Sequence, residues 1–154
     1  MATDLTKEID TYLASQRLMA LATYAGAPWI ANVYYVHDDH LHLYFLSKAS
    51  REHCKAIDAN PQVAVAIADS HQPIHSPQQG IQLHGTAAPV TDRTKLAWIF
   101  EAWNTKIAAS GEQLQNPDIF LKSGAARIYE ITPKRIKFFN TVLWPEEQAQ
   151  ELHL

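Results

Sequence analysis

Tyr44-Phe45-Leu46-Ser47-Lys48-Ala49-Ser50-Arg51-Glu52-His53-Cys54-Lys55 is the stretch on which the reading of this chain turns. Its aromatic and apolar start has the composition of a strand, and its second half reads as the first turns of a helix. Hydroxyls and cations are delivered together at the join. Amides at a helix start lack partners within the helix and favour an anion. Ser47 and Ser50 can donate hydrogen bonds to such an anion, and Arg51 offers a two-pronged guanidinium that suits a phosphate. Over residues 48–55, three cations stand against the single acid Glu52. Taken alone, the stretch also reads as a solvated basic helix face with Ser50 as its N-cap.

Toward the N-terminus the pattern has a period of two. Leu41–Leu46 reads as a strand, His37-Asp38-Asp39-His40 as a hairpin loop, and Trp29–Val36, opened by Pro28, as a second strand. Ala25-Gly26-Ala27 is a turn into a further strand, Leu18–Tyr24, so that the three runs form a meander. Before them, Leu5, Ile9, Tyr12 and Leu13 fall on one stripe of a helix over Asp4–Gln16, capped by Thr3 or Asp4.

Toward the C-terminus the helix stops at Asn60-Pro61. Gln62–Ala68 alternates Val63, Val65 and Ile67 with alanines, and its small residues predict a strand buried on both sides. A Pro-containing loop over Asp69–Gln79 precedes a strand over Gly80–Val90, with Ile81, Leu83 and Gly85 opposite Gln82, His84 and Thr86. The longest helix is expected over Asp92–Ala109, striped by Leu96, Ile99, Phe100, Trp103 and Ile107 and ended by Gly111. A helical turn around Pro117–Leu121 follows. Ala125–Thr132 and Arg135–Asn140 read as two strands or one long bent strand, with Pro133 at the junction. The tail from Trp144 reads as a helix or a frayed end.

With 154 residues, the chain is expected to be a single domain over 1–154, with its core over about 5–141 and a C-terminal tail at 142–154. Charged residues make up 19%, below the rough quarter of soluble chains, which is expected where a partner covers some surface. A net charge of −3 argues against binding nucleic acid by counterion release. The lone cysteine, Cys54, excludes an intrachain disulfide framework. No apolar run approaches the roughly 20 residues that cross a bilayer, and Met1–Leu5 lacks the features of a signal peptide. The expected location is therefore cytoplasmic, with no membrane partner. The fold class read from the pattern is α+β, mainly β: a small barrel of six to seven mostly antiparallel strands with flanking helices.

The order of these elements resembles the pyridoxamine 5'-phosphate oxidase-like, FMN-binding split β-barrel superfamily. The resemblance is carried by Leu43-Tyr44-Phe45-Leu46-Ser47, Ser50-Arg51-Glu52-His53, Ala59-Asn60-Pro61-Gln62-Val63-Ala64-Val65 and Ile81-Gln82-Leu83-His84-Gly85-Thr86-Ala87. Trp29–Tyr35 and Arg135–Thr141 are similar to a functionally unassigned bacterial branch of that superfamily. The resemblance implies an FMN cofactor, a flavin-dependent oxidoreductase of unknown substrate, and a homodimer with the cofactor at the subunit interface. It places the flavin phosphate at Ser47, Lys48, Ser50, Arg51 and His53, and the ring system along Trp29, Ile30, Ala31 and Asn32. Gln82 is expected near the ring in the partner's site. Counted back from Asn60, the family's usual lysine is His53 here and its usual arginine is Glu52. This departure motivates the alternative of a non-catalytic split-barrel protein that has lost flavin and binds haem or another ligand. No catalytic acid, base or nucleophile is assigned, because the flavin carries the redox chemistry.

The remaining histidines read mainly as structural. His37, His40 and His42 lie about one hairpin without a Cys or Glu nearby to complete a metal set, and no metal is assigned. His71, His75 and His84 surround the Pro-containing loop and are read as polar surface residues, with a haem ligand as the alternative. Trp103 is assigned to the core and Trp98 to an interface. Cys54 is expected to be a buried structural thiol.

Overall fold

The computed structural model describes residues 4–75, 77–108, 113–118, 122 and 126–154. Asp4 caps α1 (Leu5–Ser15) by accepting from the Lys7 amide at 3.2 Å, and Ile9, Tyr12 and Leu13 bury its apolar stripe. β1 (Leu18–Tyr24) and β2 (Pro28–Tyr34) form a hairpin around Gly26, whose φ of +81° favours glycine. The chain bends at the buried Tyr35, whose hydroxyl donates to Leu13 O at 2.7 Å, and resumes as the two-residue β3 (Val36–His37). Asp38 organises the next turn by accepting from the His40 and His42 amides, both at 2.9 Å. Leu41 takes a φ of +65° inside that turn, so β4 runs over Leu43–Lys48, two residues later than the sequence pattern predicts.

α2 (Glu52–Ala59), β5 (Gln62–Ile67), β6 (Gln79–Pro89), α3 (Arg93–Lys106), β7 (Ala126–Asn140) and β8 (Ala149–His153) complete the order. All strand pairs are antiparallel, in the sequence β2-β1-β5-β6-β7-β4-β3, with β8 added to β7. Since β2 and β3 are one chain segment interrupted only at Tyr35, the strand order returns on itself as a barrel of six staves. Closure is made by β3 on β4, through Val36↔Tyr44 and His37↔Leu43. Along β2 itself only β1 is paired among the described residues, so the barrel is split there. The expected meander is accordingly half formed: β4 meets its predecessor over two residues and pairs along its whole length with β7.

The barrel interior is filled by Leu21, Phe45, Val65, Leu83, Tyr129, Ile136 and Phe138, with α1 closing one end. A second cluster joins Leu96, Ile99, Phe100 and Trp103 of α3 to Val36, Tyr44 and Ile128 on the outside of the barrel. β7 is one long strand, and the bulge opposite His84/Gly85 falls at Pro133 and Lys134. No helix among the described residues is long and apolar enough to cross a membrane.

Four expectations need correction. β5 is buried on one face only, since its alternation puts Val63, Val65 and Ile67 inside and leaves Ala64 and Ala66 exposed. Ser50 is not the cap of α2; Arg51 holds that position and makes no side-chain capping bond. The tail is neither helical nor frayed, because β8 pairs with β7 from Arg135↔His153 to Phe139↔Ala149. α3 ends at Lys106, three residues before the expected Ala109, which with Gly111 lies outside the described residues. The turn predicted around 117–121 is described only at Pro117 and Asp118, both helical.

Candidate functional site

The split between β2 and β4 forms an open cleft of about 1170 Å³. One wall is β2 from Trp29 to Tyr34, another is the end of β4 from Leu46 to Lys48, and the floor is the approach to α2 at Ser50 and Arg51 with Glu52, His53 and Lys55 of its first turn. Trp103 closes it from α3. A sheet edge without a second neighbour presents its own N–H and C=O groups, so the β2 edge is a row of donors and acceptors facing the cleft.

Strand direction places each polar group. Lys48 is exposed at the cleft, while Ser47 continues the inward row of Leu43 and Phe45 to the mouth of the barrel. Its hydroxyl lies 2.8 Å from His53 Nε2 on the first turn of α2. His53 is only 7% exposed, and its ring lies 6.1 Å from the Phe45 ring. Burial, then the charge of Arg51, holds the His53 pKa below the ordinary histidine value. Arg51 is exposed, and because its side chain caps nothing its guanidinium is not committed to the helix. Lys48, Arg51 and Lys55 bring three cations to the cleft against Glu52, a surplus suited to a doubly charged anion.

The apolar side is equally defined. Trp29 is 48% exposed and Ile30 66%; as strand neighbours they point to opposite faces of β2, Ile30 to the outer face beside Ala22. Tyr34 carries Arg17 over its ring at 5.9 Å, and Arg17 is tied to Ile107 O at 3.0 Å, which links this wall to the end of α3.

Nine of the ten residues named from the sequence line this cleft: Trp29, Ile30, Ala31, Asn32, Ser47, Lys48, Ser50, Arg51 and His53. Gln82 does not. It projects from the outer face of β6 beside His84, Arg135 and Lys137, over a separate hollow of about 180 Å³. Tyr34 and Trp103 also line the cleft and were not foreseen; Trp103 came from a helical stripe that reads as core, and it is indeed 8% exposed.

The other candidates fall elsewhere. His37 pairs with Asp10 at 2.9 Å, and the ligand atoms of Asp38, Asp39 and His40 lie within 4.8 Å of one another at the exposed turn. Asp38 there is spent on two loop amides and on the Tyr44 hydroxyl at 2.8 Å. His71 and His75 are exposed in their loop, and His84 is exposed on β6. Cys54 is free and buried, and Trp98 packs edge-on against Tyr44 at 5.7 Å.

The family described as pyridoxamine 5'-phosphate oxidase matches residues 5–140. A UPF0306 protein of Photorhabdus laumondii is 35% identical over 86 residues, which span 54% of this chain and 59% of that protein. The structure of a haem-binding protein from Mycobacterium smegmatis superposes with a TM-score of 0.77 at 17% identity, over 99% of this chain and 59% of that one. General Stress Protein 26 from Bacillus anthracis superposes with a TM-score of 0.71 at 20% identity, over 99% of this chain and 100% of the other. At such identities these two likenesses speak for the fold.

Proposed function

We propose, from the premise that this chain belongs to the pyridoxamine 5'-phosphate oxidase family, that it binds FMN in the β2–β4 split and acts as a flavin-dependent oxidoreductase. The observation that carries this reading is the single cleft in which the anion-binding end of β4–α2 faces the free edge of β2. The residues present fit the group. Ser47, Ser50, Arg51 and His53, which line the cleft, would hold the phosphate, and the backbone of Trp29–Asn32 would bond the polar edge of the ring system. Glu52 on the same floor opposes the phosphate, and the surplus of cations around it outweighs that repulsion. A volume of about 1170 Å³ exceeds the roughly 300–1,000 Å³ of ordinary small-molecule sites, leaving room for a substrate beside a flavin.

When bound, the flavin supplies the electron or hydride chemistry. The chain's own residues bind and exclude. Arg51 and the serines fix the phosphate end, the β2 edge orients the ring, and the buried Trp103 keeps water from its side of the cleft.

The same reading includes a homodimer. The outer faces of β2, β1 and β5 bring together Ile30, Ala22 and Ala64 in one cross-strand row, and Asn32, Ala20 and Ala66 in the next. Alanines make that surface flat, and Leu18, Tyr24 and Tyr34 border it with exposed apolar area, so a second sheet can approach at the usual spacing of about 10 Å. Gln82 extends the row of Asn32, Ala20 and Ala66 and is the residue each copy would offer to its partner's cleft. A cytoplasmic location suits a chain whose one cysteine is free and buried.

A second reading, a split-barrel protein that holds haem or another ligand without flavin, is favoured by Glu52 on the cleft floor and by His84, exposed beside Ala64 on the outer face. Reconstitution separates the two. The purified protein incubated with FMN and desalted is expected to retain flavin absorption bands at one FMN per chain. Loss of all flavin on desalting, with a Soret band formed on adding haemin, would replace the first reading by the second.

A further inference from the structure

The hydrogen bond between Ser47 and His53 decides what the cleft shows to an anion. Their Oγ and Nε2 atoms lie 2.8 Å apart, and one proton sits between them. If that proton is the serine's, Ser47 donates to His53 and turns a lone pair toward the cleft, which repels an anion. If it belongs to the imidazole, Nε2–H donates to Ser47 Oγ, and the serine's own proton is released as a donor into the cleft. The direction of this single bond switches the polarity of the site.

We propose that His53 rests neutral with Nε2 as acceptor, and that an anion enters the cleft together with one proton, which His53 takes up so that Ser47 becomes the anion's donor. The inference rests on the reading of this cleft as the flavin-phosphate site, and it concerns how that site is regulated by pH. The proton comes from solvent and ends on the imidazole; no bond other than N–H is made.

The surroundings support the neutral form of His53. His53 is 7% exposed, and burial together with Arg51 disfavours its charged form. From α2 the charged neighbours are Arg51, Glu52 and Lys55, and from β4 Lys48, all lining the cleft. From β7, Arg127 stands cross-strand from Ser47 and is engaged by Asp58 at 3.4 Å and the Tyr129 hydroxyl at 3.5 Å. β2 contributes Asn32 and Tyr34, and α3 contributes Trp103, none charged. The free cleft is therefore net positive, which opposes protonation of His53. An arriving anion removes that opposition and favours the imidazolium beside it. Lysine at this position would hold its proton throughout and show no such coupling.

The experiment uses inorganic sulfate as the probe, because it keeps its charge over the working range while the FMN phosphate itself titrates near pH 6. Sulfate affinity of the full chain is measured by calorimetry between about pH 6 and 8, in two buffers of different ionisation heat. The expected result is uptake of nearly one proton per sulfate and a Kd that rises by up to about tenfold per pH unit. His53→Lys and, as a second variant that keeps a neutral polar side chain, His53→Gln are each expected to change by less than about twofold over the same range. Nitrogen-15 spectra of the wild-type imidazole are expected to show Nε2 unprotonated without sulfate and an upward shift of its titration with sulfate. A sulfate Kd that is flat with pH, or a resting His53 already protonated at Nε2, overturns the proposal. Sulfate binding with proton uptake but no FMN binding at any pH would retain the switch and remove the flavin reading.

Discussion

Replacing Gly85 by alanine tests the register that holds the barrel together. A Cβ built at Gly85 would lie 2.1 Å from Thr132 O, 2.8 Å from Thr132 C and 2.9 Å from Pro133 Cα. All three are backbone atoms of β7, so no side chain can swing away. The strands must part by about an ångström at the bulge where His84 pairs with Arg135 and Gly85 with Pro133. Forcing a methyl into a packed contact costs about 1–3 kcal/mol, and stretching one adjacent ladder hydrogen bond adds about 1 kcal/mol. The sum is about 2–4 kcal/mol. For a domain of this size each kcal/mol lowers the melting temperature by about 2–4 °C, so Gly85→Ala is expected to melt about 5–15 °C below the parent. Gly80→Ala is the control, because its Cβ would meet Ile67 O at 3.4 Å and Ala68 Cβ at 3.6 Å, ordinary contacts. Thermal unfolding followed by circular dichroism measures both. A Gly85→Ala protein that melts within about 2 °C of the parent, or no lower than Gly80→Ala, would refute the register at the bulge.

Three further predictions bear on charge and assembly. Arg51→Ala is expected to weaken FMN binding by about 1.5–3 kcal/mol, roughly 10- to 150-fold in Kd by fluorescence titration, and an unchanged Kd removes Arg51 from the site. Burial raises the pKa of Glu130, but its bonds to Lys95 and to the Tyr44 hydroxyl outweigh this and leave it below the ordinary carboxylate value. Its contribution to stability is thus present above the unfolded-state pKa and is lost as pH falls through the lower folded-state value. Urea unfolding against pH should accordingly show a shallower acid decline for Glu130→Gln, and parallel declines would discount the network. Ala64→Arg, at the centre of the flat outer face, is expected to convert a dimer to monomer in sedimentation velocity and to weaken FMN binding with it. A parent that sediments only as monomer contradicts the interface.

Much of the fold is legible in the sequence because its period changes mark the elements: the stripe of Ile9, Tyr12 and Leu13, the alternation of Val63, Val65 and Ile67, and the Gly26 turn all sit where local pattern puts them. The errors arise where a tertiary neighbour decides. Ala64 and Ala66 read as buried because they are small, yet both are exposed among the described residues. The tail lacks a strong period of its own, and β7 supplies the partner that makes Ala149–His153 a strand. The same division holds in the cleft. Ser47 to His53 is contiguous, so its hydroxyls and cations are visible in one glance at the sequence. Tyr34 and Trp103 arrive from the barrel wall and from α3, and only the closure of β3 on β4 reveals that they face the same space. The role of His53 is equally hidden from local pattern, since it depends on the 2.8 Å approach to Ser47.

The central claim is that the β4–α2 end of the split is a seat for the phosphate of FMN. Equilibrium titration of the full chain with FMN and with riboflavin, which differ in that phosphate alone, tests it most directly. Two charge-assisted contacts of about 1.5–3 kcal/mol each predict that FMN binds at least about 100-fold more tightly, at one per chain. Equal affinities for the two flavins, or no FMN binding at tens of micromolar, would contradict it.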